Sequence, residues 1–172
     1  MKRLTVLRHA KSSWAEPGID DFDRPLNERG WKAARRMGKE LKHLRITFDF
    51  ALASPAARVR ETIDGLTETY GEPRFPIRFE PRIYLASAET LLELVRETAP
   101  DVESLLLVGH SPAMERLAVE LSHDDKHGFR ARIAEKFPTA GLATIELPAD
   151  DWAELEPGKG KVVELILPKE LD

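Results

Sequence analysis

The chain has 172 residues, 42% of them apolar and 33% charged, with 26 Lys plus Arg against 30 Asp plus Glu, a net charge of −4 and no cysteine. The length suits one globular unit over residues 1–172 with a substantial core, and the balance argues against a disordered tail or a nucleic-acid domain, which needs a basic excess. Thiol chemistry, disulfides and cysteine metal sites are excluded, no stretch approaches the roughly 18 apolar residues of a membrane span, and the run Leu4 to Leu7 is too short for a signal peptide, so the cytoplasm is the expected place.

Leu4 to Leu7 reads as a buried strand ending in Arg8-His9-Ala10-Lys11. A polar loop follows, with Pro17-Gly18 and the acidic set Asp20, Asp21 and Asp23. Asn27 is the expected N-cap of a helix striped by Trp31, Ala34, Gly38 and Leu41. Its basic residues Lys32, Arg35, Arg36, Lys39 and Lys42 read as a solvated face, and His43 suits the negative end of the dipole. Phe48 to Ala53 is a second strand. Ser54-Pro55 opens a helix carrying Val59, Ile63, Leu66 and Tyr70, which Gly71 and Pro73 end. Ile77 to Phe79 is a weak strand, and Leu91, Leu92, Val95 and Thr98 mark a helix stopped by Pro100. Leu105 to Val108 is the clearest buried strand; Gly109-His110-Ser111-Pro112 follows, with Ser111 as N-cap and Pro112 at the first helical position. Met114, Leu117, Ala118 and Leu121 stripe that helix. Ala143 to Leu147 and Val162 to Leu167 are late strands. His123 and His127 have helical spacing, but with Gly128 ending the segment and no third ligand they read as surface residues. The alternation predicts an α/β fold with a mostly parallel sheet and helices on both faces. Ligands then sit beyond the carboxyl ends of the strands.

Three strand ends carry one kind of chemistry: Arg8-His9, Ser54 with Arg58 four residues on, and Gly109-His110-Ser111-Pro112. If those strands are neighbours, two arginines, two histidines and two helix N-termini gather in one pocket suited to a dianionic tetrahedral group. An imidazole among guanidiniums stays neutral, so His9 can attack phosphorus while the cations offset the charge on the transferring group, with no metal or cofactor. Ser54 lacks an evident base in the sequence. The acidic loop Asp20 to Asp23 reads as solvated.

These residues resemble the histidine phosphatase superfamily, which includes cofactor-dependent phosphoglycerate mutases and acid phosphatases. The carrying motifs are Leu7-Arg8-His9-Ala10-Lys11, Arg24-Pro25-Leu26-Asn27-Glu28-Arg29-Gly30, Ser54-Pro55-Ala56-Ala57-Arg58-Val59-Arg60-Glu61-Thr62 and Gly109-His110-Ser111-Pro112. The small size and the Arg-Pro-Leu-Asn segment most resemble the SixA-type phosphohistidine phosphatases. The resemblance implies a phosphoglycerate mutase-like three-layer α/β/α sandwich. It implies that His9 is the phosphorylated nucleophile, that Arg8 and Arg58 bind phosphate, and that His110 contacts the phosphoryl group. Lys11, Ser54, Thr62 and Ser111 are the supporting candidates, and Arg60 faces another way.

Two departures stand out. The usual Arg-His-Gly is Arg-His-Ala here. The acidic proton donor of mutases and many ester phosphatases has no counterpart in Pro81-Arg82-Ile83-Tyr84-Leu85-Ala86, with Glu80 and Glu89 flanking the stretch. The expected function is a metal-independent phosphatase acting on phosphohistidine in a protein. The alternatives are a phosphatase for small esters (a sugar phosphate or nucleotide) and a non-catalytic phosphoprotein-binding module. The expected partner is a phosphorylated protein or small phosphorylated substrate, without nucleic acid or membrane.

Overall fold

The computed structural model describes residues 1–72 and 74–171, so the expected stop at Pro73 lies outside the described residues. The strands are β1 (Lys2–Arg8), β2 (Phe50–Ala53), β3 (Ile77–Phe79), β4 (Ser104–Gly109), β5 (Leu142–Leu147) and β6 (Lys161–Ile166). The α-helices among the described residues are α1 (Glu28–His43), α2 (Ala57–Tyr70), α3 (Ala88–Arg96), α4 (Ala113–Leu121) and α5 (Phe129–Glu135). No helix is long and apolar enough to cross a membrane among these residues.

The sheet order is β3-β2-β4-β1-β5-β6. The pairs β3–β2, β2–β4 and β4–β1 are parallel, whereas β1–β5 and β5–β6 are antiparallel. Helical crossovers return the chain in the same direction for the first four strands. Residues 148–160 hold only a short 3-10 turn, Trp152–Glu154, so β6 comes back beside β5 running the other way. The expected mostly parallel sheet is present, with an antiparallel edge.

Period two assigns the strand residues to both faces. In β4, Leu105 and Leu107 join Leu91, Leu94, Met114 and Leu117 under α3 and α4. Leu106 and Val108 face the other way, with Met37, Leu41, Val59 and Ile63 under α1 and α2. This is a three-layer α/β/α sandwich. Each fully buried Leu of these layers contributes roughly 1.5–3 kcal/mol. A Cβ on Gly38 would lie 2.0 Å from the carbonyl oxygen of Leu66, so glycine lets α1 press against α2.

Several boundaries differ from expectation. Asn27 caps α1 through Gly30 N–H as expected. Ser111 does not cap α4: Pro112 is the cap residue, and the Ser111 hydroxyl donates to Glu115 at 2.7 Å. One residue before the cap position, the Ser111 hydroxyl gives its hydrogen to a charged acceptor instead of receiving one from the helix start. Pro55 lies before Ala56, the cap residue of α2, rather than inside the first turn. Gly128, read as a helix end, instead precedes α5 at φ 72°, and α5 itself was not foreseen. His123 and His127 sit in the loop between α4 and α5, so their helical spacing is not realised.

Candidate active site

β1, β4 and β2 are adjacent, so their carboxyl ends bring His9, His110 and Ser54 together. The rings of His9 and His110 lie 5.4 Å apart. The first turn of α2 supplies Arg58, only 5% exposed, whose Nη2 approaches His110 Nδ1 at 3.4 Å. On the other imidazole nitrogen, His110 Nε2 is 2.8 Å from Ser54 Oγ. The Arg58 fork can only donate, so Nδ1 is the accepting nitrogen and Nε2 carries the proton that goes to Ser54. Ser54 therefore has a histidine beside it after all. The sequence separation of 56 residues hid it, but in this tautomer the histidine is a donor rather than a base.

His9 is 7% exposed. Its Nδ1 lies 2.7 Å from the Ala10 carbonyl oxygen. A carbonyl only accepts, so Nδ1 carries the hydrogen and Nε2 keeps a lone pair. Burial first, then the Arg58, Arg8 and Arg24 cations, lower the His9 pKa to about 4 against a backbone hydrogen bond that raises it. Burial and the Arg58 charge likewise push His110 down to about 3. Both imidazoles are neutral near pH 7.

The backbone around His9 is held from two sides. Ala10 N–H donates to Thr62 Oγ1 at 2.9 Å, and Thr62 Oγ1 donates to the Arg58 carbonyl at 2.6 Å. Thr62 thus ties the His9 turn to the helix turn bearing Arg58. Ala10 is fully buried and has no positive φ, so alanine replaces the usual glycine without strain. Asn27 N–H donates to the Lys11 carbonyl, and a Cβ on Gly30 would lie 2.1 Å from that oxygen. Glycine there allows α1 to start against the His9 loop.

Arg8 donates from Nη1 to the Phe137 carbonyl at 2.9 Å, while its Nε is buried without a partner among the described residues. Lys11 is exposed and outside the cluster. Arg60 faces away, with Nε on the Pro55 carbonyl and its guanidinium over Phe79. Glu80 caps the short turn Pro81–Ile83 and pairs with Arg82, whose hydrogen bonds hold it ionised. Glu89 is exposed in the first turn of α3.

Three further residues belong to the site: Asp21, Arg24 and Tyr84. Asp21 was read as part of a solvated loop. Instead its Oδ2 accepts from Arg58 Nη2 at 3.0 Å and from Tyr84 at 2.7 Å, and its Oδ1 accepts from Arg24 at 3.1 Å. Its carbonyl accepts from Arg58 Nη1 at 2.6 Å. The Tyr84 hydroxyl foremost, with the two guanidiniums, holds the Asp21 carboxyl far below the usual range. Arg24 also donates to Ser12 and lies 3.7 Å over the Trp14 ring. Its place in the Arg-Pro-Leu-Asn motif was the one sequence signal for it. Nothing in an Asp-rich loop announces which aspartate turns inward.

Among the described residues no group of three or more His, Asp or Glu side chains could hold a metal ion. The arrangement can do two things chemically: gather cations around a tetrahedral anion, and present an unprotonated imidazole nitrogen to it.

Residues 4–84 match the model of the histidine phosphatase superfamily, branch 1. An uncharacterised protein of Mycobacterium tuberculosis is 35% identical over 165 residues, covering 95% of this chain and 100% of that protein. A crystal structure from Agrobacterium tumefaciens, provisionally described as the phosphohistidine phosphatase SixA, is 31% identical. It superposes with a TM-score of 0.81 over 97% of this chain and 98% of that one. A structure of the protein histidine phosphatase SixA with tungstate shares the fold at 22% identity and a TM-score of 0.75, over 99% of each chain.

Proposed function

The chain belongs to the histidine phosphatase superfamily, on its SixA-type side, and we propose that it removes phosphate from phosphohistidine on a protein through a transient phosphate on His9. The observation that carries this reading is the pairing of a neutral nucleophile with carboxylates that are poor acids. His9 Nε2 has its lone pair, while Asp21 is held ionised by the Tyr84 hydroxyl and then by Arg24 and Arg58, and Glu80 by Arg82.

In the first step Nε2 of His9 bonds to phosphorus as the bond from phosphorus to the substrate nitrogen breaks. Arg8 and Arg58 offset charge on the transferring group, and neutral His110 stands between the Arg58 fork and Ser54. Ser54, fully buried, accepts from His110 Nε2–H and from Ala56 N–H and so fixes the His110 ring beside Arg58. Water then attacks the His9 phosphate, releasing inorganic phosphate and restoring the imidazole.

The leaving group decides the substrate class. An alkyl phosphate expels an alkoxide, the base of an acid with a pKa comparable to the roughly 15.7 of water, and its departure needs a general acid. Phosphohistidine expels an imidazole, whose conjugate acid has a pKa of about 6.5, and it leaves neutral when its other nitrogen carries a proton. The expected order of kcat/KM is therefore phosphohistidine protein, then aryl phosphate, then alkyl phosphate. Glu80→Gln and Glu89→Gln are expected to change phosphohistidine turnover only slightly. Glu115→Gln extends the same test to the carboxylate that accepts from Ser111 and lies near Arg8. An alkyl phosphate as best substrate, or a loss of about 10²-fold or more in any of the three variants, overturns the phosphohistidine assignment.

The pH profile tests the nucleophile's state. Protonation of His9 removes its lone pair, and its pKa is lowered to about 4. The enzyme's acid limb in kcat/KM is thus expected near pH 4, with activity retained above it, once the phosphate's own ionisation near pH 6 is divided out. An enzyme limb at pH 6–7 would show an unperturbed histidine and contradict the effect of burial and of the three guanidiniums described above.

A further inference from the structure

A groove of about 660 Å³ opens beside Arg8, between α1, the α5–β5 connection and the turn Pro168–Glu170. Besides Arg132, which pairs with Glu170, six cations line it: Arg8, Lys11, Arg29, Arg36, Lys136 and Lys169. Among the described residues none of these has a carboxylate within salt-bridge distance. Of the lining acids, Glu170 is spent on Arg132 at 3.0 Å, and Glu135 is left. The chain as a whole carries −4, so this concentration of positive charge is a local reversal. Such a cleft focuses field and attracts anions.

The spacing says which kind. Arg29 and Arg36 are seven residues apart on α1, nearly two turns, so they share a face roughly 10 Å apart along the axis. Ala33 lies between them and gives the groove an apolar floor with Pro138 and Leu167. Lys11, Lys136 and Lys169 come from three other segments and are exposed. These cations are spread along a rail rather than converged on one point. A small polyanion is gripped by a few convergent, well-held groups; an extended acidic chain is matched by a row of charges on flexible stems.

We propose that this groove docks an acidic polypeptide segment of the phosphoprotein, placed so that its phosphorylated side chain enters the pocket past Arg8. The proposal rests on the phosphohistidine reading and names what the enzyme would recognise beyond phosphate. Part of the α1 basic face is thereby not merely solvated. Arg35 pairs with Glu68, whereas Arg36 faces the groove.

The test uses two phosphohistidine peptides of equal length, one flanked by Asp and Glu, the other by Ser and Gly. They are compared on the native chain and on the double variant Arg36→Glu/Lys136→Glu, with each form normalised to kcat/KM on an aryl phosphate. The native chain is expected to prefer the acidic peptide by about tenfold at low salt. That preference should collapse in the double variant and near 1 M salt, where the screening length is about 3 Å. Equal turnover of the two peptides, or a preference untouched by charge reversal, overturns the groove and leaves the phosphohistidine reading standing.

If neither peptide outpaces the aryl phosphate, the phosphohistidine reading fails instead. The groove is then judged by inhibition of aryl phosphate hydrolysis with the unphosphorylated acidic peptide. Inhibition about tenfold weaker in the double variant supports it, and equal inhibition of both forms overturns it. Inhibition by inorganic triphosphate but not by the acidic peptide also overturns it, assigning the groove to a small polyanion.

Discussion

His9→Ala is expected to abolish turnover and the trapped phosphoenzyme together, lowering kcat by about 10⁴-fold or more, the scale on which removing a covalent nucleophile acts. The chain has no cysteine to take over. Ser54 is the one rival the geometry offers, because it touches His110 at 2.8 Å. A serine nucleophile needs a base, and His110 Nδ1 already accepts from Arg58, so Nε2 is a donor toward Ser54. Ser54 is also fully buried, which leaves no path for a leaving group. The companion variant Ser54→Ala is therefore expected to retain phosphoenzyme formation. Acid lability of the trapped phosphate distinguishes a phosphoramidate from a serine ester. Phosphoenzyme in His9→Ala, or its loss only in Ser54→Ala, refutes the mechanism.

The difference between what was legible and what was not lies in how each residue is held. Arg8 ends β1, His9, Ser54 and His110 follow directly on buried apolar strands, and Arg58 sits in the first turn of α2. Short apolar runs locate the strands, and the α/β rule places their ends side by side. Asp21 and Tyr84 lie on short irregular turns, Asp21–Asp23 and just past Pro81–Ile83, whose direction no periodicity encodes. Their mutual contact spans 63 residues and exists only once β2, β3 and β4 have assembled. α5 was missed for a related reason. Its seven residues, Phe129–Glu135, bury only Ile133, too little for an amphipathic stripe to register. At the antiparallel edge, α4 and α5 continue the strand–helix alternation up to β5, so nothing in the pattern marks the reversal of β5 against β1. Only β6, reached without an α-helix, returns beside β5 as a sequence-adjacent strand does.

The inward turn of Asp21 changes how the pocket is read. The site is not a bare cluster of cations awaiting phosphate. Arg58 is already neutralised by a carboxylate with three hydrogen-bond donors on it. That internal ion pair lets a guanidinium with 6% side-chain exposure stay buried, since a buried charge is costly unless paired. It also holds the fork beside His110 before any ligand arrives, so less freedom is lost on binding.

Arg58→Met is expected to lower kcat/KM by about 10²–10³-fold, the cost of losing one preorganised donor to a developing oxyanion. Methionine keeps the buried stem, so the loss reports the fork rather than a cavity. Arg58→Lys should restore little, because an ammonium cannot reproduce two parallel N–H donors. A purely structural role for Arg58 would predict a rate loss that tracks lost stability, with the pH profile unmoved. Arg58 instead lowers both imidazoles: after burial, its charge is the largest influence disfavouring protonation of His110, and it acts with Arg8 and Arg24 on His9. Removing a cation makes the imidazolium less unfavourable, so the His9 pKa rises from about 4 toward the ordinary 6.5. The acid limb of kcat/KM must then move to higher pH in Arg58→Met, by part of that interval, since burial remains. In Arg58→Lys the charge is kept, and the limb should stay near its native position despite the slow rate. Near-native kcat/KM in Arg58→Met, or a limb that moves equally in both variants, would remove Arg58 from the phosphate site.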